Sequence, residues 1–319
     1  MSAVVEARPI VILGVFVADT AYRAARQPRL GETIVGDSFK LGPGGKGSNQ
    51  AVAAGRLGAD VTFLTRLGRD PFADMARGAW AAAGVRAVVI ETPESYTGAA
   101  YIFVESVSGE NAIIVAPGAA SLISTADIDR HAELIAAAGV FVTQLEQPIE
   151  AARRGLEIAR AAGVTTVLNP APAMPVDDAL FELCDYVTPN ESETETLTGL
   201  RVETLDDARA AAANLLARGA GAVVLTLGER GALLQTPGGS ELVEPFQVGP
   251  VVETTGAGDA FNGGFAVGLA RGMAPRDAVR FGCAVAGISV TRAGTAPSMP
   301  SLAEAESVLA GTFPASVKA

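Results

Sequence analysis

The run Thr254-Thr255-Gly256-Ala257-Gly258-Asp259-Ala260-Phe261-Asn262-Gly263-Gly264 follows the apolar segment 248–252 and opens a pattern that reads as helix through Leu269. Glycines at the mouth of a helix leave its first N–H groups unblocked. Those amides and the positive end of the helix dipole favour an anion such as phosphate. Asp259 is out of place in a simple anion site, because its carboxylate repels a resident phosphate. Its presence makes sense if a hydroxyl also arrives there and must lose its proton. An anion cradle beside a general base is the layout of a phosphoryl-transfer site. The plainer reading is a glycine-rich turn with an acidic residue capping its helix.

Around this run, short β-branched segments alternate with alanine-rich amphipathic ones. Strands are predicted at 10–13, 61–65, 140–144, 165–169, 186–189 and 222–226. Helices are predicted at 48–57, 71–83, 149–162, 205–218, 258–270 and 275–291. Such alternation means a mostly parallel sheet with helices on both faces, an α/β/α sandwich whose ligands bind beyond the carboxyl ends of the strands. Segments 32–41 and 98–115 instead alternate side chains without a helical period, and read as antiparallel strands outside the main sheet. A small β-sheet lid at the ligand end would keep water from competing as nucleophile, and its exposed edges invite pairing between subunits. One domain over 1–319 is expected, with lid strands from about 15–43 and 96–117.

Bulk composition narrows the classes. The chain has 319 residues, 49% hydrophobic, and a net charge of −11 spread without long runs, which argues against a nucleic-acid or anionic-membrane surface. Its two cysteines, Cys184 and Cys283, lie in apolar segments and suit a reducing cytoplasm. No zinc-like spacing occurs, and His131, at the start of a helix-like stretch, reads as a surface residue. Arg8-Pro9 interrupts any signal-like apolar region, and no apolar run approaches the ~18 residues of a membrane span.

Nearer the N-terminus, Leu41-Gly42-Pro43-Gly44-Gly45-Lys46-Gly47-Ser48-Asn49-Gln50 precedes a helix and contains G-x-G-x-x-G at Gly42, Gly44 and Gly47. A dinucleotide fingerprint belongs directly after the first strand, and here Asp19 and a long excursion intervene. A Walker loop needs Ser or Thr directly after the lysine, where Gly47 stands. A sugar site fits better: small residues admit a polar ligand, Lys46 and Asn49 supply directional hydrogen bonds, and Asp19 can accept from two adjacent hydroxyls. Further on, Asn190 and Glu193 share a helix face, where an amide and a carboxylate beside phosphates can hold Mg²⁺ through water. Capping of a helix start accounts for the same spacing equally well. Thr226-Leu227-Gly228-Glu229-Arg230-Gly231 closes another strand, as a nucleotide-contacting loop would.

Together these segments resemble the ribokinase branch of the phosphofructokinase-B carbohydrate kinases, from about Ile10 to Ser298. The signatures are Gly44-Gly45-Lys46-Gly47-Ser48-Asn49-Gln50-Ala51-Val52-Ala53-Ala54-Gly55 and Thr255-Gly256-Ala257-Gly258-Asp259-Ala260-Phe261-Asn262-Gly263. Gln144-Leu145-Glu146, Asn169-Pro170-Ala171-Pro172, Thr188-Pro189-Asn190-Glu191 and Thr226-Leu227-Gly228 fall between them in family order. The resemblance implies a ribokinase-like fold and ATP-dependent phosphorylation of the terminal hydroxymethyl of a pentose, D-ribose first. It implies Asp259 as base and the amides of Gly256, Ala257 and Gly258 as anion hole. It places Asp19, Gly45, Lys46, Gly47, Asn49, Glu146 and Asp259 at the sugar. Asn190, Thr226, Leu227, Gly228, Glu229, Arg230, Gly231, Gly258 and Cys283 fall at the nucleotide. Glu193 is linked to Mg²⁺, and Glu253, Thr255, Ser289, Arg292, Gly294 and Ser298 to an activating K⁺, several through backbone carbonyls. A homodimer through the lid strands is also implied.

Three positions depart from that pattern. Val17 stands where an Asn usually contacts the sugar, a loss of about 1–3 kcal/mol if the hydroxyl goes unpaired, which admits a sugar lacking or masking that hydroxyl. Glu253 replaces an Asp near the K⁺ positions, and Glu229 must point away from ATP phosphates or pair with Arg230. The competing expectations are a kinase of deoxyribose, a fructose-type sugar or a nucleoside, and a non-catalytic sugar-sensing protein. A dinucleotide oxidoreductase rests on the glycine match alone.

Overall fold

The structure is a computed structural model that describes residues 7–313; the expected domain's outermost residues, 1–6 and 314–319, lie outside the described residues. The strands are β1 (Ile10–Leu13), β2 (Val17–Ala24), β3 (Ser38–Gly44), β4 (Val61–Leu67), β5 (Arg86–Glu91), β6 (Thr97–Glu105), β7 (Asn111–Gly118), β8 (Val140–Thr143), β9 (Thr165–Leu168), β10 (Tyr186–Val187), β11 (Ala222–Thr226), β12 (Ala232–Thr236) and β13 (Gly239–Val243). The helices are α1 (Lys46–Arg56), α2 (Pro71–Ala82), α3 (Thr125–Arg130), α4 (Ala132–Ala136), α5 (Ile149–Ala161), α6 (Asp178–Phe181), α7 (Glu191–Thr198), α8 (Leu205–Ala217), α9 (Ala257–Ala270), α10 (Pro275–Ser289) and α11 (Leu302–Leu309).

Nine strands form the central sheet in the order β13-β12-β11-β10-β9-β8-β1-β4-β5, parallel except for the terminal β12–β13 hairpin. Successive residues of β1 point to opposite faces, so Ile10 and Ile12 enter one core with α1, α9 and α10, while Val11 and Leu13 enter the other with α5 and α8. That alternation makes the molecule the three-layer, ribokinase-like α/β sandwich expected. The chain leaves β1 towards β4 on one side and returns to pair β8 on the other, a switch in direction that opens a crevice at their carboxyl ends.

Strands β3-β2-β6-β7 form a separate four-stranded sheet. Two details differ from expectation. Strand pairing in 32–41 begins only at Ser38, because Arg29 to Glu32 form a turn, the Glu32 amide on the Arg29 carbonyl at 2.9 Å, braced by Arg26 on Glu32. The 98–115 segment is a hairpin, β6 and β7, and β6 runs parallel, not antiparallel, to β2. The chain crosses the main sheet between them, so both strands enter the second sheet in the same direction. His131 is half-buried between α3 and α4, its Nδ1 2.8 Å from the Asp127 carbonyl oxygen, rather than free at the surface.

Candidate active site

The Thr254–Gly264 run places Gly256 just before α9, at φ 82° and ψ 0°, a left-handed conformation that glycine reaches without strain. The amide of Ala257 turns back to the Thr254 carbonyl at 3.1 Å, whereas those of Gly256 and Gly258 have no acceptor among the described residues. Two open amides therefore sit at the positive end of a 14-residue helix. One turn on, Asp259 is buried. Its carboxylate accepts from Asn49 Nδ2 at 2.9 Å on one oxygen and from Gln50 Nε2 at 3.2 Å on the other. Both donors come from α1, which packs against α9. Burial raises the Asp259 pKa, and Lys46, Asn49 and Gln50 offset part of that rise.

Segments around the β1/β8 crevice add three charges. Asp19 on β2 is raised to about 6, first by burial and then by the Asp259 charge. Glu146, just past β8, is raised to about 7 by burial against the opposing pull of Lys46, and its Oε2 accepts from the Lys46 amide at 2.7 Å. Burial pulls the Lys46 ammonium down, yet Asp259, Glu146 and Glu193 outweigh it and hold the lysine charged. Gly45 and Gly47 bracket Lys46 at the start of α1. Asn49 turns its nitrogen to Asp259 and leaves a buried Oδ1 with no partner among the described residues. Val17 is buried in β2 opposite Gly44 and offers only apolar surface.

Asn190 and Glu193 form a complete capping box on α7: Asn190 Oδ1 accepts from the Glu193 amide at 2.8 Å, and Glu193 Oε2 from the Asn190 amide at 2.9 Å. Capping thus engages one oxygen of each side chain. The second carboxylate oxygen of Glu193 is left over, and the group feels the charges of Lys46 and Asp259 while burial raises its pKa. Asn190 also bridges to Thr226, so the α7 start and the Thr226–Gly231 turn adjoin. That turn is a short 3₁₀ segment over Gly228, Glu229 and Arg230, closed by the Leu227 amide on the Gly231 carbonyl. Arg230 pairs with Glu191 at 2.8 Å and donates to the Glu203 carbonyl, so Glu229 does not have it as partner. Cys283 is buried on α10, its thiol pushed up to about 12 by burial.

The loops before α9 and after α10 are sewn together by Glu253, whose carboxylate accepts from the Gly294 amide at 2.8 Å, and by the Val252 and Glu253 amides on the Val290 carbonyl. Among the described residues the carbonyls of Glu253, Thr255, Arg292 and Gly294 receive no donor. Ser289 and Ser298 are buried, their hydroxyls donating to the Ala286 and Thr295 carbonyls at 2.8 and 2.7 Å, and the Arg292 guanidinium is drawn away to Glu304. Hard carbonyl oxygens without donors suit an alkali cation. No cluster of three or more His, Cys, Asp or Glu side chains able to hold a metal ion exists among the described residues.

Sequence reasoning assigned no role to Gln50, which the structure puts on Asp259. Its position on the buried face of α1, next to Asn49, was the available signal; its partner lies 209 residues away.

Residues 10–302 match the pfkB family carbohydrate kinase model. A Haemophilus influenzae ribokinase is 38% identical over 93% of this chain and 97% of its own length. A Salmonella typhi deoxyribokinase is 38% identical over 92% of this chain and 96% of its own. The structure of Arabidopsis thaliana ribokinase complexed with ribose and ATP superposes with a TM-score of 0.90 at 30% identity, over 95% of this chain and 99% of that one.

Proposed function

The chain belongs to the pfkB family of carbohydrate kinases and is a sugar phosphotransferase, and we propose that it transfers the γ-phosphoryl group of ATP to the terminal hydroxymethyl of D-ribose, giving ribose 5-phosphate and ADP. The observation that carries this reading is the buried Asp259 carboxylate one turn inside a helix mouth with open amides, facing Lys46 and Asp19. In the reaction, Asp259 takes the hydroxyl proton as the oxygen–phosphorus bond forms and the bond to the ADP oxygen breaks. The Gly256 and Gly258 amides, with Ala257 completing the turn, neutralise charge on the moving phosphoryl group. Asp19, Lys46, Asn49 and Glu146, with Gly45 and Gly47 giving room, hold the sugar hydroxyls, and Val17 forms an apolar wall. The adenine nucleotide lies along Asn190, Thr226, Leu227, Gly228, Glu229, Arg230 and Gly231, with Cys283 on the adjoining helix.

Two ions fit the residues present. Mg²⁺ would offset the charge of the ATP phosphates, and the second oxygen of Glu193 would hold it through water. A K⁺ ion suits the donor-free carbonyls around Glu253, Thr255, Arg292 and Gly294, beside Ser289 and Ser298. Here Glu253 acts through its bond to Gly294, fixing the two loops. The chain works as one kinase domain with the second sheet as lid. Phe39 at 53% exposure and Ile114 at 68% leave that lid an apolar outer face, which supports a homodimer; sedimentation as a monomer at micromolar concentration would count against it. Two buried free cysteines accord with a cytoplasmic location, and no helix of the described residues is long and apolar enough to cross a membrane.

A panel of pentoses, 2-deoxyribose, fructose and nucleosides, assayed by ADP release, tests the acceptor. Ribose is expected to give the highest kcat/KM. A second reading, 2-deoxyribose, is favoured by the apolar Val17 and by the similarity to a deoxyribokinase, and ribose ranking below it would replace the first reading with the second.

A further inference from the structure

The buried amides behind Asp259 form a chain with a fixed direction. Gln50 Nε2 donates both to Asp259 Oδ1 at 3.2 Å and to Asn169 Oδ1 at 3.0 Å. Its Oε1 accepts from Gln144 Nε2 at 2.7 Å. Asn169 Nδ2 then donates to the Thr188 carbonyl at 3.0 Å. The Thr188 hydroxyl donates to Asn262 Oδ1, and Asn262 Nδ2 to the Gly258 carbonyl at 2.8 Å, inside the first turn of α9. All of these side chains are buried, and they tie the ends of β8, β9 and β10 to the helix mouth.

An ionised carboxylate only accepts, so Gln50 must present its nitrogen to Asp259. That choice leaves its oxygen for Gln144, which must then present its own nitrogen. The Gln144 oxygen is left over: it is buried and has no donor among the described residues. It lies against the backbones of Gly14 and Gly47, where an added Cβ would come within 2.5 and 2.7 Å of it. Turning Gln144 over cannot relieve this, because two oxygens would then face each other across Gln50. Only reversal of the whole chain could, and that demands a donor at Asp259. The orphaned oxygen is thus the far-end cost of keeping Asp259 an acceptor.

We propose that Gln50 is a positioning residue for the phosphoryl-transfer step, its amide oriented by Gln144 and Asn169 so that nitrogen always faces Asp259. It holds the carboxylate in one rotamer with Asn49 on the other oxygen, and it favours the ionised form that can take a proton. The proposal rests on the reading of Asp259 as the base. The other charges facing Asp259 are Lys46 on α1, Asp19 on β2, Glu146 after β8 and Glu193 on α7, and none of them contacts Gln50 by hydrogen bond.

The test compares Gln50→Leu, Gln50→Glu and Gln144→Leu with the parent enzyme, measuring kcat and the sugar KM across pH 5.5–9. Gln50→Leu is expected to lower kcat roughly 10- to 100-fold with the sugar KM within about threefold, and to move the acid limb of kcat upward by about one pH unit. Gln50→Glu keeps the contact from Gln144 but sets a second carboxylate against Asp259, so its limb moves further up. Gln144→Leu shifts the limb the same way by less, since Gln50 then loses only its orientation. If Gln50→Leu fails to fold, the other two variants carry the same comparison. An acid limb unmoved in the folded variants, or a loss confined to KM, overturns the proposal. Asp259→Asn serves as control: if it keeps its turnover, the base assignment itself fails; if it is dead while the Gln50 limbs stay put, only the positioning role fails.

Discussion

At the scale of single residues, the site gathers carboxylates that the fold does not want. Glu146 sits at about 7 because burial penalises its charge more than the Lys46 charge and amide repay it, and Asp19 at about 6 because burial and the Asp259 charge both work against its ionisation. A raised carboxyl pKa means that the native state holds a proton the unfolded chain has already released. Stability from such a group is therefore present at low pH and declines as pH rises from about 4.5 through 7. Replacing Glu146 by Gln removes that decline. The Glu146→Gln protein is expected to melt a few degrees above the parent at pH 8 and at nearly the same temperature at pH 4.5, while its sugar affinity falls. Melting curves at both pH values, with a binding titration at pH 8, check this; equal melting at pH 8 would show that the charge is fully compensated. The trade is the usual one, stability given up where charge is needed for binding.

At the scale of elements, the helix mouth depends on one backbone conformation. Gly256 holds φ at 82°, and a Cβ there would also lie 3.2 Å from Thr295. An Ala in the left-handed region costs roughly 1–2 kcal/mol, and relaxation would swing the Gly256 and Gly258 amides off their target. Gly256→Ala is expected to lower the melting temperature by several degrees and kcat by about 10²-fold or more, beyond what partial unfolding explains. A variant that melts early but keeps its kcat would show that the amides do not act on the phosphoryl group. The elements themselves were readable to different degrees. Strands β1 and β11 have the predicted bounds because each is a buried β-branched run. Strand β5 and the β12–β13 hairpin were missed at the sheet edges, where half-buried segments such as Arg86-Ala-Val-Val-Ile-Glu91 lose the contrast that marks a strand. The 226–231 turn was legible, but not that it reverses the chain into the sheet's only antiparallel edge among the described residues.

At the scale of the molecule, the sheet's change of direction between β1 and β8 brings Asp19, Lys46 and Glu146 to the mouth of a helix that starts only at Ala257, far later in the chain. Motif residues could be read locally, since glycines, a lysine and carboxylates in fixed spacing carry their chemistry with them. What could not be read was pairing across that distance: Asn49 and Gln50 both finding Asp259, or Arg230 choosing Glu191 over the adjacent Glu229. Those contacts follow from helix packing, α1 on α9, which no local pattern specifies. The capping box at Asn190 and Glu193 shows the reverse case, in which the structural and functional readings of one spacing both hold a place: one oxygen of each serves the helix, and Glu193 keeps another for its surroundings.

The central claim, that Asp259 removes the proton from a sugar hydroxyl held by residues of the lid and α1, is tested most directly by Asp259→Asn. Asparagine keeps the shape of the side chain and removes the base. Ribose binding measured by titration calorimetry should persist within about tenfold, while ADP release in single-turnover assays falls by 10²–10⁴-fold across pH 6–9. Turnover within tenfold of the parent enzyme at any pH in that range would contradict the account.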